Sequence, residues 1–441
     1  MPELTVIMPS LNVSVYIEEC IQSAIGQSMK DIEIICVDAG STDGTIEILQ
    51  KYALKDTRIR IIHSDVKSYG HQVNMGIKAA HGKYIAILET DDYIADNMYE
   101  NLVRIMDKYR LDIIKADYDC FWTQKNGIRI FERVKSFSGK RKEWYNKVVS
   151  AEALPEIHRF DISVWKGAYR RAFLINNDIF FNETLGAAYQ DICFHHISMA
   201  YVQRMMYIPE SYYRYRRDNE NSSSNCTKGL KYLAQEYEIL FQKQYINDMF
   251  GKEQLKNIVV RMFDAFCWEY SKVIEYNMAL PKDYYGDVDW IRDIIKRLIE
   301  DKTIAVDDFS NESVKSLGDF IYNYKEFEDS YVEKAKSRKA AVCQYIEYLH
   351  GRSIVIFGCG KCGMEVLLFL DGKNIRVGAF ADNCAKKWGG TVGGVEVMSP
   401  QKAVQKYSGA VYIVANKNNS SDMKQQLVDL NIKEKDILVW E

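Results

Sequence analysis

Four short apolar runs in the first 90 residues constrain the fold of this chain more than any other feature. They cover residues 5–9, 32–37, 58–62 and 84–88. The segments between them carry apolar residues at helical spacing: Ile17, Ile21, Ala24 and Ile25; Ile46, Leu49 and Tyr52; and a helix expected over 73–80. Near-continuous apolar strands alternating with short helices predict a parallel sheet covered on both faces. Pro9 ends the first run, Asp38-Ala39-Gly40 closes the second, and Ser41-Thr42-Asp43-Gly44 offers a cap for the helix that follows.

Beyond residue 95 the pattern loosens. Residues 112–116 and 205–208 read as further strands, and 192–201 as an apolar helix. From about 228 to 349 the period is helical throughout. Residues 353–357 then open a new strand–glycine–helix unit, continued by apolar runs at 377–380 and 411–414. The expected organisation is α/β: an N-terminal domain over 1–225, a helical linker domain over 226–350, and a small Rossmann-like α/β domain over 351–441. A length of 441 residues suits about three domains.

Composition excludes several classes. With 58 Lys+Arg against 61 Asp+Glu the net charge is −3, which argues against a dedicated nucleic-acid binder. Six prolines exclude long Pro-rich linkers. No run reaches the roughly 18 apolar residues of a membrane-spanning helix. The ten cysteines are scattered, and Cys20, Cys36, Cys120, Cys193, Cys226 and Cys267 mostly lie in apolar runs, as small hydrophobes in a reducing compartment do. A cytoplasmic protein is expected, with membrane contact only peripheral, at the inner face. A homo-oligomer is compatible with the sequence.

Chemistry concentrates after the fourth strand, where Glu89-Thr90-Asp91-Asp92 places three carboxylates at a strand end. In open α/β sheets ligands bind outside the carboxyl ends of strands, and Asp38 ends the second strand on the same edge. Clustered carboxylates raise one another's pKa, and a divalent cation is the usual compensation. A solvated acidic turn is the bland alternative.

Three motifs in order carry a resemblance: Val6-Ile7-Met8-Pro9-Ser10-Leu11-Asn12, then Val37-Asp38 through Thr45, then Gly82 through Asp92. Over roughly the first 220 residues the chain resembles family 2 glycosyltransferases of the GT-A fold. The resemblance implies a nucleotide-sugar donor, most simply a UDP-sugar, and Mn²⁺ or Mg²⁺ as cofactor. It implies Asp91 as metal ligand, Glu89 towards the ribose, and Asp92 behind them or as an alternative ligand. Donor contacts are implied for Pro9, Ser10, Asn12, Asp38, Gly70, Asn74, Glu89, Thr90 and Asp92. Two departures stand out: Glu89 replaces the usual first Asp, and Ala39 stands where many relatives carry a second Asp. His71 is either a loop histidine or a diphosphate contact.

Tyr189-Gln190-Asp191, ahead of the helix at 192–201, resembles the family's Glu-Asp pair, which implies Asp191 as the general base of an inverting transfer; an N-cap is the other reading. Trp165 either stacks on a sugar or belongs to the core, and with Tyr189 and Gln190 it falls on the acceptor side. Arg214 and Arg216, followed by Asn219, Asn221 and Ser222, fit a loop after the last strand that closes on phosphate. The basic stretch 125–147, with Phe131, Phe137, Trp144 and Tyr145, suits an anionic, partly apolar acceptor, or a membrane surface carrying a lipid pyrophosphate, or else a solvated hairpin; the acceptor expected is a glycan or lipid-linked glycan. Near the C-terminus Gly358-x-Gly360-x-x-Gly363 with Asp382 matches a dinucleotide fingerprint. A structural or interaction role is favoured there over nucleotide or sugar-nucleotide binding, and both over an NAD-dependent oxidoreductase. An inactive sugar-nucleotide-binding scaffold is the third reading of the chain.

Overall fold

The computed structural model describes residues 1–123, 127–160, 162–219, 222, 228–242, 249–309, 311–416 and 420–440, so Lys125, Asn221 and Cys226 lie outside the described residues. The chain divides into two compact units: Met1–Cys120 with Arg133–Lys336, and Phe121–Glu132 with Ser337–Glu441.

The first unit is built on β1 (Leu4–Ser10), β2 (Ile32–Asp38), β3 (Ile59–His63) and β4 (Tyr84–Ile87). They pair in parallel in the order β3-β2-β1-β4. β1, fully buried, reads as a continuous apolar run because helices cover both faces. β5 (Tyr93–Ile94), β6 (Ile113–Thr123), β7 (Arg129–Val134), β8 (Gly167–Arg170) and β9 (Met205–Arg216) complete the sheet, with order β4-β8-β6-β9-β5 and β7 beside β6. The connections are helical: α1 (Ile17–Ile25), α2 (Thr45–Ala53), α3 (Tyr69–Ala79), α4 (Met98–Tyr109), α5 (Arg171–Asn176) and α6 (Asp191–Tyr201).

Three local differences from the sequence expectation have physical causes. α3 starts four residues early, because Ser68 caps it by accepting from the His71 N–H at 3.2 Å. α2 is entered through Gly44 at φ +100, and Asp43 rather than the N-cap accepts from the Thr45 N–H (3.1 Å) and hydroxyl (2.6 Å). The strand expected at 205–208 runs on to Arg216, so Arg214 and Arg216 are strand residues and not loop residues.

Register places the site. Ser10 pairs with Asp38, and Ile7 with Ile87, so the chain leaving β4 emerges beside the end of β1. Thr90 Oγ1 fixes it there by donating to the Pro9 carbonyl at 2.8 Å. The loops after β1 and β2 are tied together: Asn12, left-handed at φ +55, accepts from the Thr42 N–H at 2.8 Å and donates its own N–H to Ser41 Oγ at 2.9 Å.

The helices Gly229–Gln242, Lys252–Asn277, Tyr285–Glu300 and Asn311–Tyr322 share one apolar cluster with this sheet, running from Leu4 to Ala335. Three histidines are buried here, His158, His195 and His196, with His158 Nδ1 3.1 Å from His196 Nδ1 and Lys115 Nζ 3.4 Å from His195 Nδ1. Burial holds all three well below the usual histidine range, His158 at about 3. They are neutral when folded, while the unfolded chain takes up protons below about pH 6.5. Stability therefore falls as pH drops through 6.5, by about 1.4 kcal/mol per pH unit per histidine. The buried carboxyls Glu89, Asp91 and Asp92 act in the opposite sense, since burial raises them. A difference isolates the effect: in urea unfolding between pH 6.5 and 5, His158→Gln should shed one proton's worth of the wild-type slope. Parallel slopes would mean His158 does not stay neutral.

In the second unit β10 (Ile354–Phe357), β11 (Ala379–Ala381), β12 (Thr391–Val392), β13 (Val395–Met398), β14 (Val411–Val414) and β15 (Ile437–Val439) form a sheet ordered β12-β13-β11-β10-β14-β15, parallel except for β12. Gly358 turns at φ +105, and a side chain at Gly363 would stand 1.9 Å from its carbonyl oxygen. Asp382 accepts from the Cys359 N–H at 3.0 Å, the Cys384 N–H at 2.8 Å and Lys387 Nζ at 3.1 Å, tying the glycine turn to the end of β11.

Candidate functional site

A cavity of about 630 Å³ opens where β1 and β4 end. Pro9, Ser10, Glu89, Thr90 and Asp91 line it from the sheet; Tyr69 and Gln72 line it from α3; Gly186 to Asp191 and the segment 162–165 close other sides. Tyr215, Arg217, Asn219 and Ser222 reach it from the end of β9 and beyond. Of the residues expected from sequence, Pro9, Ser10, Glu89, Thr90, Asp91, Trp165, Tyr189, Gln190 and Asp191 meet here. Asn12, Asp38, Gly70, Asn74, Asp92, Arg214 and Arg216 do not line the cavity.

The residues outside it build its walls. Asp38 is buried, and its carboxylate accepts from the Gly40 and Ser41 N–H groups, both at 2.9 Å, and from Ser10 and Ser41 hydroxyls. Asn74 Nδ2 donates to the Phe181 carbonyl at 2.9 Å and to Glu183 at 3.0 Å, while its oxygen accepts from the Phe181 N–H. His71 Nδ1 lies 2.7 Å from the same Glu183. Gly70 matters for close approach: a Cβ there would stand 2.0 Å from the Asn182 carbonyl oxygen. Gly70→Ala should accordingly cost about 1–3 kcal/mol of stability, as overpacking does, measured by chemical denaturation; an unchanged midpoint would remove the close packing as the reason for glycine.

Asp92 is buried beneath the cavity. It accepts from Tyr213 Oη at 2.8 Å and the Arg216 N–H at 2.7 Å. Arg216 donates to the Asp91 carbonyl at 2.7 Å and to Glu19 at 2.8 Å, with Tyr16 under its guanidinium. Arg214 pairs with Asp119 at 2.9 Å. Arg214 and Arg216 are strand residues engaged with these partners and do not line the cavity, whose cationic residues among those described are Lys67 and Arg217.

The cavity carboxyls are set apart by environment. Burial pushes Glu89 up to about 8, and its Oε1 accepts from Tyr69 Oη at 2.6 Å. Burial also raises Asp91, against the Nδ2 of Asn219 donating at 2.8 Å. Burial raises Tyr69 well above the phenol range, so it stays a donor. Glu89, Asp91 and Asp92 do not bring three oxygens together; among the described residues the one such group of metal-ligating side chains is His158, His195 and His196, none of which lines the cavity. A hard cation held by one or two carboxylates plus phosphate oxygens fits Asp91 and Glu89 better than a full protein cage would.

Trp165 serves the core and the cavity together. It stacks on Tyr215 with centroids 5.0 Å apart and lies 4.3 Å from the Tyr213 ring. Gln190 is the N-cap residue of α6, and Asp191 is its first residue, where a carboxylate gains from the helix dipole. In the basic stretch Phe137 is buried and Tyr145 donates to Asp117, so Phe131 is the aromatic left exposed, at 49%.

A family model described as "Glycosyl transferase family 2" matches residues 5–153, and one described as "C2185-like, N-terminal" matches 351–438. The Escherichia coli glycosyltransferase YibD is 30% identical over 250 residues, which cover 55% of this chain and 68% of YibD. The chain belongs to glycosyl transferase family 2. Within the family, the Bacillus subtilis glycosyltransferase EpsJ is 33% identical over 223 residues, covering 50% of this chain and 62% of EpsJ. Glycosyltransferase GlyG of Streptococcus pneumoniae is 25% identical over 293 residues, covering 93% of GlyG. Staphylococcus aureus TarS 1–349, solved with UDP-GlcNAc, superposes with a TM-score of 0.56 at 18% identity, covering 77% of this chain and 92% of that one. The mixed sheet of the first unit is a GT-A fold. No helix among the described residues is long and apolar enough to cross a membrane.

Asn219 and Ser222, expected beside the phosphate, do line the cavity, whereas Lys67, Tyr69, Gln72 and Arg217 line it without a role expected from the sequence. Tyr69 was within reach of the sequence, lying next to the Gly70 that was singled out. Gln72 enters from the same first turns of α3, and Lys67 and Arg217 come from the segments just before α3 and just after β9.

Proposed function

We propose that this chain transfers a sugar from a nucleoside-diphosphate donor to an acceptor hydroxyl with inversion at the sugar carbon. Asp191 is the general base, and Asp91 holds Mn²⁺ or Mg²⁺. The observation that carries this reading is that Asp91, Glu89 and Asp191 line one cavity at the strand ends, together with Lys67 and Arg217. An inverting transfer needs a carboxylate to take the acceptor's proton and positive charge to stabilise the departing diphosphate.

Asp191 takes the hydroxyl proton as the new glycosidic bond forms. Lys67 and Arg217 face the diphosphate as it leaves with the electrons of the broken bond. Tyr69 holds Glu89 against the wall, and Trp165 offers a ring face to the sugar. The cation, when bound, supplies charge to the diphosphate. A UDP-sugar is the donor we favour, and UDP-GlcNAc is the first to test, since TarS 1–349 was solved with it. A glycan or lipid-linked glycan is the acceptor class we favour, reached by a protein at the inner face of the membrane.

The test is a screen of nucleoside-diphosphate sugars for hydrolysis with Mn²⁺ present and absent. Metal-dependent release of UDP from one of them supports the reading. A folded protein that turns over none of them would overturn it in favour of a binding scaffold.

A further inference from the structure

The loop that delivers Asp191 is gripped from outside the sheet. Tyr189, two residues before Asp191, is left-handed at φ +69. Bulky residues seldom adopt this conformation, and it persists only where surroundings over-determine it. Its phenol donates a short hydrogen bond to Glu269 Oε1. Glu269 is 2% exposed, lies on the helix Lys252–Asn277, and also accepts from Lys272 Nζ at 2.8 Å. A Cβ at Gly229 would stand 2.1 Å from Glu269 Oε2, so only glycine lets the carboxylate meet the start of the helix Gly229–Gln242. A helix N-terminus favours a negative charge.

A second buried carboxylate holds the same loop upstream. Glu236 is 1% exposed and accepts from Asn182 Nδ2 at 2.8 Å and Thr184 Oγ1 at 2.9 Å. The Thr184 carbonyl in turn accepts from Gln190 Nε2 at 2.6 Å, and the Gly186 carbonyl from the same nitrogen at 3.1 Å. The Tyr189 carbonyl accepts from the Ile192 N–H at 3.0 Å and so sets the first turn of α6. Burying two carboxylates is costly unless their partners are fixed. Here the partners of both include the segment that carries Asp191.

We propose that Glu269 is a positioning residue for the transfer step. Through the Tyr189 hydroxyl it holds the left-handed turn that sets Asp191 at the cavity. The helices after residue 228 are then part of the catalytic apparatus. This rests on the reading of Asp191 as the base.

The experiment is Tyr189→Phe in the full chain, which removes one oxygen and keeps the ring. With a donor found in the screen above, kcat should fall about 10- to 100-fold, since a misplacement near 1 Å can cost about that much. UDP affinity by calorimetry should stay within about twofold. Glu269→Gln should give a similar loss, and the double variant no more than either alone, because the two act as one unit. In an Asp191→Asn background, Tyr189→Phe should lower kcat no further. Three results would overturn the proposal: normal kcat in Tyr189→Phe, additive losses in the double variant, or an undiminished effect without Asp191. Near-normal turnover by Asp191→Asn alone would instead sink the base assignment, which keeps the two failures apart.

Discussion

Asp191→Asn is expected to lower turnover by about 10²- to 10⁴-fold, the usual contribution of a general base, while leaving donor affinity close to wild type. The side chain keeps its shape and its place as the first residue of α6, so the helix entry survives. What is lost is the lone pair that takes the acceptor proton. The loss should therefore appear in kcat for transfer, with the donor dissociation constant unmoved in calorimetry. Some stability is also expected to go, about 0.3–1 kcal/mol, because the negative charge at the helix start is removed. That loss is far too small to explain a hundredfold fall in turnover. Near-normal transfer by a folded Asp191→Asn protein would leave the residue a helix-start charge and nothing more.

Asp91→Ala should abolish transfer and the metal-dependent part of UDP affinity. Asp91 lines the cavity, is raised by burial, and accepts from the Asn219 amide at 2.8 Å. Burial outweighs the Asn219 bond and the nearby Arg216 charge, so a cation at this carboxyl favours its ionised form. Removing it should not unfold the protein, because the Asp91 carbonyl that receives Arg216 is backbone and remains. The neighbour behaves differently: Asp92 is held by Tyr213 and the Arg216 N–H beneath the cavity, so Asp92→Ala should show itself in stability first. The check is calorimetry of UDP with and without Mn²⁺. Equal Mn²⁺-dependent affinity in wild type and Asp91→Ala would take Asp91 out of the site.

Part of this molecule was legible in its residues. The four parallel strands follow from apolar runs too short for helices, with helical spacing between them, and hydrophobic burial reads that pattern locally. The carboxylates after β4 and the position of Asp191 before an apolar helix were visible for the same reason: strand ends and helix starts are local events. α4 went unread even though its buried face, Met98, Tyr99, Leu102, Val103 and Met106, has helical spacing. β8 is too short to announce itself.

Other features depended on contacts between residues far apart in the chain. Asp38, Asn74 and Gly70 belong to motifs, yet in the fold they serve walls and close approaches: Asn74 and Gly70 meet residues 181–183 of another loop, and Asp38, held by its own turn at 40–41, also takes the hydroxyl of Ser10 from β1. Arg214 and Arg216 read as loop residues, but β9 extends through them and pairs them with Asp119 and Glu19, the Arg216 head buried and the Arg214 head partly so. The parallel core, the edge where ligands meet it and the carboxylates available there follow from residues close together in the chain. Which polar groups face the cavity, and the grip of the helices after residue 228 on the Asp191 loop through Glu269 and Glu236, depend on packing between distant segments. The reason is physical: burial in a strand or helix is set by neighbours in sequence, whereas the orientation of a polar side chain is set by whichever distant group completes its hydrogen bonds.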